Sequence, residues 1–128
     1  MKYGYFRNVN SSFSITEDKI KIALKEQGFG VMTEIDVRKT IKEKLNIDYK
    51  QYKILGVCNP PLAHQALENE PDIGLLLPCN VIVVDNEDGT TKVGAIDTHS
   101  MMSVTGREDM LTMANHINEL LQNAVDSL

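Results

Sequence analysis

Asn80-Val81-Ile82-Val83-Val84, then Asp85-Asn86-Glu87-Asp88-Gly89-Thr90, then Lys92-Val93-Gly94-Ala95-Ile96 is the stretch from which the fold is read. Two short runs rich in β-branched residues flank a polar loop with Asp-Gly in it, the strongest short-range sign of a β-hairpin. A hairpin is antiparallel by necessity, so part of the sheet must be antiparallel.

The chain upstream supplies a partner. Tyr52-Lys53-Ile54-Leu55-Gly56-Val57-Cys58 reads as a well-buried strand. Asn59-Pro60-Pro61 follows as a helix start, with Asn at the cap and Pro at the first helical positions. Leu62, Ala63, Ala66 and Leu67 then face inward, and Pro71 ends that helix.

Earlier still, residues 1–9 alternate aromatic and polar side chains as a first strand. Ser14 with Glu17 forms a capping box for a helix whose stripe is Thr16, Ile20, Ala23, Leu24 and Gln27, and Gly28 stops it. Residues 29–35 suit a second strand, and Asp36 caps a short helix through Val37, Ile41 and Leu45. At the other end, Thr105 and Glu108 suggest a second capping box. The helix after it carries Met110, Met113, Ala114, Ile117, Leu120, Leu121, Ala124 and Leu128 on one broad stripe.

The order is β, α, β, short α, β, short α, β, β, α. Helices on one face of a mostly antiparallel sheet make an α+β two-layer sandwich. A doubly wound parallel sheet is the rival, because the first half alternates strand and helix. With no repeat or linker, residues 1–128 read as a single domain.

A net charge of −5 argues against a nucleic-acid backbone as partner, which needs clustered Lys and Arg. The run Arg38, Lys39, Lys42, Lys44 alternates with Glu34, Asp36 and Glu43, as on a solvated helix face. No apolar run is long enough to span a membrane, and no apolar segment follows the N-terminus as in a signal peptide. The expected location is cytoplasmic, where Cys58 and Cys79 are reduced thiols.

Three stretches resemble a known family. Gly28-Phe29-Gly30-Val31-Met32-Thr33-Glu34-Ile35-Asp36-Val37 is similar to the opening block of the domain-of-unknown-function family 302. Tyr52 to Ala63 resembles its central block, and Gly74-Leu75-Leu76-Leu77-Pro78-Cys79-Asn80-Val81 its third. The resemblance implies a two-layer fold with a curved antiparallel sheet, similar in outline to the TATA-binding protein. It also implies a homodimer, and it implies no activity.

If strands three, four and five form an antiparallel meander, Cys58, Cys79 and the pair Asp97 and His99 meet at one rim. The Pro-started helix begins there too, bringing Asn59, His64 and its N-terminal amides, while Asn80 opens the fourth strand. Two thiols with an imidazole suit zinc or copper(I), and Cys58, Cys79 and His99 form the candidate metal set. Cys58, Asn59, His64, Cys79 and Asn80 form the candidate ligand site. The competing reading makes both cysteines buried strand-end residues, since free Cys is among the most buried types. His64 has a surface pairing with Glu68 as its alternative role, and His116 is expected to be half-buried beside the last helix's stripe.

Gly28-Phe29-Gly30 precedes a strand rather than a helix, so it is no dinucleotide fingerprint. Phosphate-binding loops, serine nucleophile elbows and paired carboxylates are absent from the sequence. Three functions stay open. The first is a small binding module holding a metal or small ligand at the Cys58 and Cys79 rim. The second is a cysteine-dependent redox or detoxification enzyme. The third is a dimeric interaction domain without chemistry, built on the Leu and Met surfaces.

Overall fold

The computed structural model describes residues 3–128. Met1 and Lys2 of the expected first strand lie outside the described residues; β1 runs Gly4–Val9. Then come α1 (Phe13–Glu26), β2 (Gly30–Asp36), α2 (Val37–Leu45) and β3 (Tyr52–Cys58). Helix α3 (Pro60–Asn69) leads into a 3₁₀ segment over Pro71–Leu76. Strands β4 (Cys79–Asp85) and β5 (Thr91–Ile96), the short α4 (Thr98–Met102) and the long α5 (Glu108–Asp126) complete the chain.

The five strands lie in the order β1-β5-β4-β3-β2, and each of the four pairings is antiparallel. The α+β sandwich is therefore the fold, and the parallel rival is excluded. The β3–β4–β5 meander forms as expected, with α3 inserted between β3 and β4.

Strand alternation sends Leu55, Val57, Cys79, Val81, Val83, Val93 and Ala95 to one face, all buried. Against them pack Ile20, Ala23 and Leu24 of α1 with Ile117, Leu121, Ala124 and Val125 of α5. Ile20, Leu24 and Leu121 are at most 1% exposed, and burying each such side chain stabilises by about 1.5–3 kcal/mol. Arg7 ties β1 to the end of α5 by donating to the carbonyls of Val125 (3.2 Å) and Asp126 (2.6 Å). A cation there also meets the negative end of the helix dipole.

Two capping assignments change. Ser12, not Ser14, caps α1, accepting from Ile15 N–H at 3.3 Å. Glu17 is then left free to take Lys21 (2.8 Å) and Lys53 (2.9 Å) in an ion-pair cluster. Arg107 stands at the α5 cap, and Thr105 Oγ1 accepts its backbone N–H at 3.1 Å instead of capping Glu108's turn. Asp36 and Asn59 cap α2 and α3 as the sequence predicts.

The hairpin loop is five residues long, with positive φ at Glu87 (62°) and Gly89 (88°). Among the described residues no helix is long and apolar enough to cross a membrane.

Candidate functional site

The meander register places Cys79 opposite Val57, so Cys58 and Cys79 meet at the same rim. Strand β2 reaches that rim through Gly30 opposite Cys58. Between Val31 and Thr33 the β2–β3 register shifts, leaving Met32 as the extra residue of a β-bulge. A bulge re-aims the side chains next to it. Here Met32 and Thr33 turn toward the space at the strand ends.

That space is a cavity of about 310 Å³ beneath α3. Its floor is the core surface of Phe29, Val57, Cys79 and Ile117. Leu62, Ala63, Ala66 and Leu67 of α3 form the roof, and Cys58, Asn59 and Pro78 close the sides. Met32, Thr33, Leu67 and Pro78 are exposed, so the cavity opens between them. The space exists because two alanines occupy the inner face of α3, where larger side chains would fill it.

None of the described residues lining the cavity carries a charge. The start of α3 does not offer anion-binding amides either, contrary to the expectation from the sequence. Pro60 and Pro61 have no N–H. The Leu62 N–H donates to Asn59 Oδ1 at 3.5 Å, and the Ala63 N–H donates to the Asn59 carbonyl at 2.9 Å. The two prolines that make so clear a helix start also remove the donors an anion needs.

Both thiols are free. Burial pushes the Cys79 thiol up to about 11, with the neighbouring Cys58 adding to it. Burial also raises Cys58. Both groups are held protonated near neutral pH, the opposite of what a nucleophilic or metal-ligating thiolate needs.

Of the candidate residues, the structure brings Cys58, Asn59 and Cys79 together on the cavity wall; His64, Asn80 and His99 do not line it. His64 is exposed and pairs with Glu68 at 3.3 Å. Asn80 faces the other side of the sheet, in a shallow groove with Phe6, Ile82 and Gly94. His99 is exposed in the first turn of α4, its N–H donating to the capping Asp97 at 3.0 Å. His116 is exposed rather than half-buried. Among the described residues, no group of three or more His, Cys, Asp or Glu side chains is arranged to hold a metal ion. The set Cys58, Cys79 and His99 is thus not assembled. Sequence reasoning missed Met32 and Thr33 on the cavity wall.

Residues 5–128 match the family described as Domain of unknown function DUF302. A crystal structure titled "uncharacterized conserved protein DUF302" from Bacillus stearothermophilus superposes with a TM-score of 0.90. It is 28% identical, and the match covers 98% of each chain. An uncharacterized protein of Aquifex aeolicus (strain VF5) is 28% identical over 83 residues, 65% of this chain. The chain matches about half of that relative's length, 51%.

Proposed function

The chain belongs to the DUF302 family, and from that premise we propose that it is a small-molecule binding module whose ligand is uncharged and largely apolar. The observation that carries this reading is the cavity beneath α3, with Cys58, Asn59 and Cys79 in a wall that holds no charge. At about 310 Å³ it sits at the small end of ligand sites and has room for roughly ten non-hydrogen atoms. Leaving water for this surface is favourable for an apolar molecule. An anion would lose its hydration and find, among the described residues, no cation and no free backbone amide at the start of α3. The protonated thiols serve as soft, weakly polar wall atoms. A reducing cytoplasm, where both cysteines remain thiols, is the compartment that fits this role.

The reading is tested by thermal shift with pairs of compounds of matched size, one ending in an alcohol or alkyl group and one in a carboxylate. The uncharged member should raise Tm as its concentration exceeds its Kd, and the carboxylate should not. Equal or stronger stabilisation by the carboxylates contradicts it.

A second reading, self-association as a homodimer, is supported by a different surface. On the sheet face away from α1 and α5, Ile35, Ile54, Ile82, Gly94 and Phe6 follow one another in register across all five strands. Phe6 is 46% and Ile35 49% exposed. An apolar row whose two ends, Phe6 and Ile35, are open to water is the kind of patch a partner covers. Light scattering of the wild type and Phe6→Glu tests it: a dimer that the substitution dissociates supports this surface, and a wild-type monomer rejects it.

A further inference from the structure

We infer that α3 is a strap over the cavity, and that an Arg107 clamp at its C-terminal end governs passage of the ligand. The inference rests on the cavity reading above and concerns how that site is regulated.

Helix α3 is held differently from its neighbours. Helices α1 and α5 bury five and six residues, whereas α3 buries Ala66 alone. Leu62 packs in part against the main core, while Ala63 and the exposed Leu67 look onto the cavity. Ala66 and Ile73 of the following 3₁₀ segment anchor it in a second apolar cluster with Met102, Met110 and Ala114, and polar contacts at its two ends supply the rest of its restraint. The N-terminal end grows from β3 through the Asn59 cap. At the C-terminal end Arg107 Nη1 donates to the carbonyl of Asn69 at 2.7 Å and to Glu70 Oε2 at 3.3 Å. The same guanidinium is held from behind by Asp109, with Nε to Oδ1 at 3.1 Å and Nη2 to Oδ2 at 2.7 Å. The clamp thus joins the last carbonyl of α3 and the Glu70 carboxylate just after it to the first turn of α5.

Arg107, Glu70 and Asp109 side chains are about one-third to one-half exposed. Such ion pairs are weak and screened by salt, which makes the clamp easy to open. The consequence is specific. An uncharged ligand entering an uncharged cavity has no direct electrostatic reason to bind at a salt-dependent rate, so a dependence that Arg107→Ala abolishes reports the clamp.

The experiment is stopped-flow binding of an uncharged apolar fluorophore from 20 mM to 500 mM NaCl, on the wild type, Arg107→Ala and Glu70→Gln. A companion measurement follows hydrogen exchange of the α3 amides without ligand. The wild-type association rate should rise with salt, Arg107→Ala should bind about fivefold faster at low salt and be flat, and Glu70→Gln should lie between. Amides of α3 should exchange faster in Arg107→Ala while those of α5 beyond its first turn do not. Equal association rates and equal α3 exchange in the wild type and Arg107→Ala overturn the clamp. A fluorophore that binds neither protein overturns the cavity reading, and the exchange measurement then decides the clamp by itself.

Discussion

Cys79 lies directly opposite Val57 across the β3–β4 ladder, and Cys58 is the next residue along β3, so two thiols share one apolar wall. Folding holds the Cys79 proton more tightly than the unfolded chain does, because the buried thiolate is poorly solvated. The stability it contributes is complete below the unfolded value of 9.0 and is lost as pH rises toward about 11. The full loss is about 3 kcal/mol. Denaturation from pH 7 to 11 should show this decline in the wild type and a shallower one in Cys79→Ala. In native protein at pH 8, Cys58 should react with iodoacetamide faster than Cys79, and both more slowly than free cysteine. Rapid labelling of either residue would favour the thiol-enzyme alternative.

Glu17 makes the opposite contribution. Burial raises its pKa, but hydrogen bonds from Lys21 and Lys53 outweigh that, and the net shift is downward. A lowered folded value means stability present above the unfolded value of 4.5 and lost as pH falls through the folded one. Glu17→Gln should cost about 1 kcal/mol at pH 7. It should also flatten the acid limb of the stability profile below pH 4.5. An unchanged acid limb would show that the cluster contributes nothing.

Gly56 lies where Thr33 and Pro78 close over the sheet beside the cavity. A Cβ there would collide with Thr33 Oγ1 and come within 2.8 Å of Pro78 Cγ. Gly56→Ala should therefore destabilise by about 1–3 kcal/mol. It should also weaken binding of an apolar probe, since Thr33 and Pro78 both line the opening. Urea denaturation and probe titration on one sample check both effects.

Much of this architecture is legible in the sequence. The hairpin, the β3–Pro–Pro–α3 turn and the α5 stripe each rest on local chemistry, so reading them in order yields the antiparallel meander. Cap assignment fails where neighbouring residues compete: Ser12 and Ser14 are equally suited to α1, and the β1–α1 connection decides between them. The bulge at Met32 has no sequence signal, because it is a mismatch between two strands rather than a property of one. The candidate site is half legible. Cys58, Asn59 and Cys79 follow from the meander, and Ala63 and Ala66 are identifiable as inward-facing. The cavity depends on how far α3 stands from the sheet, which no local pattern encodes. The meander puts the segments of His64 and His99 at the same rim as the cysteines, but both side chains are exposed and neither lines the cavity.

The measurement that bears most directly on the central claim is titration of an uncharged apolar fluorophore into the wild type and Ala63→Leu, with the Tm of each recorded. Ala63 lines the cavity without being fully buried, so leucine there fills space at little cost in stability. Saturable one-to-one binding by the wild type, lost in a variant with unchanged or higher Tm, is the result this account predicts. A folded Ala63→Leu protein that binds the fluorophore as tightly as the wild type would contradict it.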